Sequence, residues 1–232
     1  YTLSDTLSLH DALPIFSTLP YHIDLFEALS FPLPKYAHTA HVLKAENGGK
    51  RKLSKRKDPE AALSFYLENG YPRSAVLLYI LTLLNSNFEE WHAKNPEKPI
   101  LAFPFSLGKM SVSGALFDIE KLNDISKTEL SKLTADEIYN AAAKYLKRYD
   151  PEFFEIFTRD RRYATAILSI GRGGEKPRKD LTTLSDIKAY SAFFFERPDP
   201  GLLRQTPDAK TILERYAALY DPDDDSGTWF EK

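Results

Sequence analysis

Apolar residues along most of the chain recur at the three- and four-residue spacing of α-helices. In the segment Pro20–Leu29, Ile23 and Phe26 share one helical face, and the proline stands in the first turn, where it is tolerated. The segment PRSAVLLYILTLLN, Pro72–Asn85, is apolar almost throughout and predicts a deeply buried helix. From Thr134 onwards helical patterns dominate, and we expect helices at 150–157, Arg161–Ile170, Ser185–Phe195 and Pro207–Leu219. The pattern predicts a mainly α protein whose second half is a helical bundle.

Helix start and stop signals bound several of these segments. The sequence TADE, which begins at Thr134, matches a capping box, in which a threonine and a glutamate satisfy each other's backbone N–H groups. Asp58 is predicted to cap a helix that begins at Pro59, and Gly70 is predicted to end it. The same Asp-Pro-Glu start recurs at Asp150. Local signals therefore predict where many of the helices begin.

A short β element is predicted in the first quarter of the chain. His38–Leu43 reads as a strand, and Asn47-Gly48 is a strong tight-turn signal, so a hairpin is expected there. Further along, Lys94–Phe105 holds three of the fifteen prolines and predicts an irregular connection. The sequence GALFDIEKLNDIS, which follows, predicts a helix and then a turn.

Composition narrows the classes of protein that the chain can represent. The 232 residues contain 43% hydrophobic and 28% charged residues, as in ordinary globular proteins, and no cysteine, which excludes disulfides, thiolate metal sites and a cysteine nucleophile. The five histidines lack neighbouring carboxylates in a metal-binding pattern, so no metal site is predicted. The longest apolar run, Val76–Leu84, is too short to cross a bilayer, and no signal peptide is recognisable. We expect a cytoplasmic protein without a membrane partner.

The sequence GGKRKLSKRKDP, Gly48–Pro59, concentrates six basic residues in eight positions although the whole chain carries a net charge of −2. It can be a solvated surface loop or a clamp for a polyanion such as a nucleoside triphosphate. Adenylyl transfer builds negative charge on the α-phosphate, which positioned cations stabilise. Lys52 and Lys55, three residues apart, can face one phosphate chain, while Leu53 anchors the loop and Ser54 donates a hydrogen bond. The pattern alone leaves both interpretations open.

The five residues KLSKR, Lys52–Arg56, resemble the KMSKS-type signature of class I aminoacyl-tRNA synthetases, and this variant is similar to the one in glutamyl-tRNA synthetases. The flanking segments STLPYHIDLFEALSF, YLENGYPRSAVLLYILTLL and KMSVSGALFDIEKLND also resemble that family, from about Phe16 to the end of the chain. The resemblance implies a remnant of an α/β class I catalytic domain with the KMSKS-type loop, then a stem-contact region and an α-helical anticodon-binding domain. The implied boundaries are 16–57, 58–133 and 134–232.

The resemblance also implies a function and a set of site residues. A glutamate–tRNA ligase would join L-glutamate to tRNA(Glu) through glutamyl-adenylate, with ATP and Mg²⁺ as substrate and no metal site in the protein. Lys52 and Lys55 would be catalytic, and Lys52, Leu53, Ser54, Lys55 and Arg56 would bind ATP. The intact enzyme would be a monomer.

The family's His-x-Gly-His motif and its glutamate-binding residues are absent from this sequence. We therefore expect a fragment that lacks the N-terminal catalytic half and the C-terminal end and is inactive alone. Tyr1–Ile15 resembles a translated sequencing adapter, although a short amphipathic segment is the alternative. Two other functions remain open: a non-catalytic helical tRNA-binding module, and a glutaminyl or non-discriminating relative.

A second basic stretch, GRGGEKPRKD at Gly171–Asp180, can follow a tRNA backbone or serve as an exposed connection between helices. Its candidate tRNA-binding residues are Arg172, Lys176, Arg178 and Lys179. Three consecutive phenylalanines, 193–195, can stack on bases, but they cannot share one helical face. We expect at least two of them in the core.

Overall fold

The computed structural model describes residues 18–36, 39–196, 201, 208–221 and 223. In these residues the chain is mainly helical, as predicted, with one small sheet. The α-helices are α1 Leu19–Ala28, α2 Leu63–Glu68, α3 Arg73–Leu84, α4 Phe88–Lys94, α5 Ile119–Lys132, α6 Ala135–Tyr149, α7 Pro151–Thr158, α8 Arg161–Ser169, α9 Asp186–Phe195 and α10 Ala209–Leu219. The strands are β1 Val42–Glu46, β2 Gly49–Lys52 and β3 Ala115–Leu116. The adapter-like segment Tyr1–Ile15 lies outside the described residues.

Two compact units are formed, and among the described residues the first holds 18–36, 39–62 and 77–119. The second holds 63–76 and 120–196, with the described residues beyond them. The boundaries after residues 57 and 133 that the family resemblance implied stay predictions. None of the described helices combines the length and the apolar character needed to cross a membrane.

The sheet of the first unit has the strand order β2-β1-β3. Asn47 and Gly48, with φ of 49° and 78°, form the predicted tight turn between antiparallel β1 and β2. Strand β3 pairs with β1 in parallel, and Gly114 before it lies so close to β1 that an added Cβ would be 2.4 Å from the carbonyl oxygen of His41. The predicted strand His38–Leu43 is displaced to Val42–Glu46, because pairing with β2 begins only there; His38 itself lies outside the described residues.

Aromatic side chains form the core of the first unit. Phe88 and Phe103 pack edge to face with ring centroids 5.0 Å apart, and Tyr79 and Phe117 do the same at 5.4 Å. The hydroxyl of Tyr79 accepts a hydrogen bond of 2.6 Å from the backbone N–H of Asp118, and burial raises the pKa of Tyr79 to about 12. The helix that was predicted to be deeply buried is buried only in part, because Leu78 and Tyr79 of α3 lie in the interior whereas Ile80 is 41% exposed.

The core of the second unit lies between helices α5 to α9. It is formed by eleven buried side chains, which are Leu130, Ile138, Tyr139, Ala142, Leu146, Phe153, Phe157, Ala164, Leu168, Leu181 and Ile187. The predicted capping box at Thr134 is present, with Glu137 accepting from the Thr134 N–H at 2.8 Å. Asp150 caps α7 by accepting from the N–H of Phe153 at 3.1 Å, as the sequence predicted.

Several local expectations need correction. The sequence GALFDIEKLNDIS was predicted to form a helix and then a turn, but it begins with strand β3, and α5 continues past its end to Lys132 on an amphipathic pattern that buries Leu122 and Leu130. Gly70 ends its helix as predicted, with φ of 73°, but α2 begins at Leu63 and only a short 3₁₀ turn, Pro59–Ala61, follows Asp58.

The three consecutive phenylalanines at the end of α9 differ in exposure. Phe193 is 62% exposed, whereas Phe194 and Phe195 are half-buried. The ring of Phe195 packs edge to face against Phe153 at 6.0 Å and Tyr163 at 5.5 Å. The ring of Phe194 lies 4.2 Å from that of the exposed Phe193, so only Phe195 packs against the core and the expectation of at least two core phenylalanines is wrong.

Candidate functional site

The KLSKR segment begins at the last residue of β2 and continues into a turn. Lys52 ends the strand, and the N–H of Leu53 donates to the carbonyl oxygen of Val42 on β1 at 2.9 Å. Leu53 is half-buried, in line with its predicted role as an anchor. The segment is therefore tied to the sheet on its N-terminal side.

The next five residues close on themselves. The carbonyl oxygen of Ser54 accepts from the N–H groups of Lys57 at 3.0 Å and Asp58 at 2.8 Å. In return, the N–H of Ser54 donates to Oδ2 of Asp58 at 2.8 Å. These reciprocal bonds make Ser54 and Asp58 the base of a turn. Its tip is Lys55, Arg56 and Lys57, and all three side chains are exposed.

Asp58 has a different role from the helix cap that was predicted. Its side chain is 1% exposed and makes no capping bond to the 3₁₀ turn that follows. Its carboxylate instead accepts two hydrogen bonds from the Arg51 guanidinium, at 2.5 and 2.8 Å, and lies 3.3 Å from Nζ of Lys44. The bonds from Arg51 hold the pKa of Asp58 far below its usual value, with smaller contributions from Ser54 and Lys44. The carboxylate is therefore ionised at neutral pH.

Arg51 is separated from the other cations of the basic cluster by the alternation of side chains along β2. It pairs with Asp58 and with Glu46, whose Oε2 lies 2.8 Å from its Nε, and these contacts raise its pKa. Lys44 contacts both Asp58 and Glu60. The remaining five cations are exposed to solvent: Lys50, Lys52, Lys55, Arg56 and Lys57. One of the six basic residues is thus structural, and five can meet a polyanion.

The ionic cluster of Lys44, Arg51, Asp58 and Glu60 was not anticipated from the sequence. The sequence did contain one indication of the separate role of Arg51. Residues of a strand alternate between its two faces, so Arg51 had to point away from Lys50 and Lys52. The partner of Arg51 on that face could not be predicted, because Asp58 reaches it only through the conformation of the turn between them.

The second basic stretch places its four candidate residues in unlike surroundings. The Arg172 side chain is only 5% exposed, and its guanidinium donates to the carbonyl oxygen of Leu130 at 2.8 Å. Lys176, Arg178 and Lys179 are exposed. Arg178 lies 3.4 Å from Asp180, and Lys179 donates to the hydroxyl of Thr128 at 3.0 Å. The stretch is an exposed connection between helices that presents three cations.

Potential metal ligands are not clustered in the part of the chain that the structure describes. Those residues contain no group of three histidine, aspartate or glutamate side chains that could hold a metal ion. The KLSKR turn itself offers ammonium and guanidinium groups, backbone N–H groups and the Ser54 hydroxyl.

Curated proteins similar to this chain are glutamate–tRNA ligases. The enzyme of Acetivibrio thermocellus is 48% identical over 93% of this chain, and that of Clostridium perfringens strain 13 is 39% identical over 92%. This chain spans about 40% of the length of each, as the matches cover 40% and 41% of those proteins. No protein-family profile matches the chain.

Solved structures agree on the fold. A glutamate tRNA ligase from Elizabethkingia meningosepticum, in complex with its amino acid, superposes with a TM-score of 0.55 at 24% identity and covers 87% of this chain and 42% of that one. The glutamate-tRNA synthetase of Elizabethkingia anophelis gives a TM-score of 0.53 at 22% identity. The identities of 48% and 39% to the curated relatives place the chain among the aminoacyl-tRNA ligases. Within that class, the chain belongs to the glutamyl-tRNA synthetase family.

Proposed function

We propose that the intact protein is a glutamate–tRNA ligase. It would convert L-glutamate and MgATP into glutamyl-adenylate and pyrophosphate, and then transfer the glutamyl group to the terminal ribose of tRNA(Glu). The support is the 48% identity to a protein of that name together with the exposed KLSKR turn. Because the chain spans only about 40% of such relatives, the activity belongs to the intact protein.

The KLSKR turn would serve the first step. Negative charge builds on the triphosphate as pyrophosphate leaves, and cations held in place stabilise that charge more in the transition state than in the ground state. Lys55 stands at the turn tip directly after Ser54, and Lys52 ends β2 two residues before Ser54. We assign Lys52 and Lys55 to the triphosphate, with Leu53, Ser54 and Arg56 completing the ATP-binding segment. Magnesium would arrive with the phosphates.

The second basic stretch would contact tRNA. Lys176, Arg178 and Lys179 are exposed and can reach phosphate oxygens, whereas the Arg172 guanidinium already holds the Leu130 carbonyl. The proposal for direct RNA contact is therefore carried by the three exposed cations. The enzyme would act as a monomer in the cytoplasm, where tRNA is charged.

Two lysines of the same turn provide the test. In the intact protein, Lys55→Ala should reduce the rate of ATP–pyrophosphate exchange about 10²–10³-fold, which is typical for loss of one preorganised contact to developing charge. Lys57→Ala removes an equally exposed charge from the same tip and serves as the matched control. It should reduce the rate much less, because it lies outside the signature.

The outcomes separate three interpretations. Equal, small losses in both variants would mean that the turn is only a general basic patch and that Lys55 is not catalytic. An intact protein that binds tRNA but shows no glutamate-dependent exchange would be the non-catalytic module. Transfer of glutamine rather than glutamate would identify a glutaminyl enzyme.

A further inference from the structure

Two cations face each other directly across the β1–β2 hairpin. Lys44 on β1 and Arg51 on β2 are partners in the strand register. Like charges in directly opposite positions destabilise a sheet. The buried carboxylate of Asp58 lies against both, 2.5 Å from Arg51 and 3.3 Å from Lys44. Asp58, on the far side of the basic turn, therefore places one carboxylate against both cations, in addition to the Arg51–Glu46 and Lys44–Glu60 pairs.

The same carboxylate also reaches the base of the turn. Oδ2 accepts from the Ser54 N–H at 2.8 Å as well as from Arg51. Asp58 is therefore joined to the hairpin through two side chains and to the KLSKR segment through a backbone N–H. If the base of the turn moved relative to β2, the carboxylate would lose its hydrogen bond either to Arg51 or to the Ser54 N–H.

A second copy of the same local sequence shows that this arrangement is not a default. Asp150-Pro151-Glu152 repeats Asp58-Pro59-Glu60. The carboxylate of Asp150 points forward and caps its own helix at the N–H of Phe153. The carboxylate of Asp58 points backward, to residues that precede it. The two aspartates differ because Asp58 has Arg51 within hydrogen-bonding distance on the preceding strand.

We propose that Asp58 is a positioning residue for the ATP step, and that its buried carboxylate, bonded to the Arg51 side chain and the Ser54 N–H, is a latch that sets where the turn presents Lys55. The inference rests on the proposed function of the KLSKR turn. Asp58 itself is buried and would not touch the substrate; it would act through Lys55. An Asp58→Asn variant keeps the size of the side chain and removes its charge.

The first experiment measures amide hydrogen exchange in this chain. Asp58→Asn should speed exchange at the Ser54 and Lys57 amides about tenfold or more, because both bonds close the turn that the carboxylate holds. Asp150→Asn is the matched control, since it removes the charge from a helix cap and from a lysine pair elsewhere and should leave those two amides unchanged. Arg51→Lys, which replaces the two-pronged donor by a single one, is a milder second variant if Asp58→Asn does not fold.

The second experiment asks whether Asp58 acts through Lys55. In the intact protein, Asp58→Asn should lower kcat of pyrophosphate exchange about tenfold with a smaller change in KM for ATP, as expected for a displaced transition-state contact. In a Lys55→Ala background the same change should cost almost nothing, because the group that it positions is gone.

Two results would overturn the proposal: unchanged exchange at Ser54 and Lys57 in both latch variants, or an equal loss of kcat with and without Lys55. These differ from failure of the proposed function. An intact protein without pyrophosphate exchange would remove the ATP role, while amide exchange would still decide whether the latch exists.

Discussion

At the scale of single residues, one buried hydroxyl joins two segments of the first unit. Tyr79 on α3 is 1% exposed, and its oxygen accepts from the N–H of Asp118 just before α5. Tyr79→Phe keeps the packing against Phe117 but leaves that N–H without this acceptor. We expect a loss of about 1–3 kcal/mol in the free energy of unfolding, measured by urea denaturation. Tyr21→Phe is the control, because Tyr21 is 76% exposed and should contribute almost nothing.

The high pKa of Tyr79 allows an independent check on the same residue. Burial raises it to about 12, so this phenol should stay protonated at pH values where exposed tyrosines ionise. If Tyr79→Phe leaves stability unchanged and removes one tyrosine from the absorbance change at about pH 10, where exposed tyrosines ionise, the hydroxyl is not buried as described.

At the scale of elements, helix α6 begins with a complete capping box. Thr134 accepts from the N–H of Glu137, and Glu137 accepts from the N–H of Thr134. Thr134→Ala should lower the free energy of unfolding by about 1 kcal/mol, since it removes the acceptor for an N–H group of the first turn. Thr134→Ser keeps the hydroxyl and should be nearly neutral; a similar loss in both variants would assign the effect to the methyl group instead.

At the scale of the whole molecule, the net charge is slightly negative although two stretches of the chain are strongly basic. The chain carries −2 overall, so only its local basic patches can attract RNA. We expect weak binding to tRNA that falls steeply as salt rises, because each phosphate contact releases counterions. Titration of labelled tRNA at several potassium chloride concentrations measures the slope. Binding that is insensitive to salt would contradict contacts dominated by phosphates.

A charge-removal variant locates part of that effect. Changing Lys176, Arg178 and Lys179 together to alanine should reduce the salt slope by about three, with little change in fold because all three side chains are exposed. The matched control removes three exposed cations from α6 of the same unit, Lys144, Lys147 and Arg148. Equal effects of both triple variants would mean that binding follows total charge and not the predicted stretch.

Local signals in the sequence determined much of this protein. The capping box, the Asn-Gly turn and the Gly70 stop act within a few residues, so their outcome is set by backbone chemistry that a sequence displays directly. The KLSKR segment and its flanking segments likewise predicted the protein family, because the order and spacing of their residues can be compared directly in the sequence.

The tertiary structure determined which partners several of these side chains bind. Asp58 and Asp150 share the sequence Asp-Pro-Glu, yet one caps a helix and the other neutralises a pair of cations across a hairpin. Arg172 looked like its basic neighbours but lies against the Leu130 carbonyl. Charge and hydrogen-bonding capacity are properties of a residue, and the sequence by itself determined them. Which partner satisfies them depends on which other part of the chain folds beside that residue, and only the folded chain brings Arg51 to Asp58, seven residues away, and Leu130 to Arg172, 42 residues away.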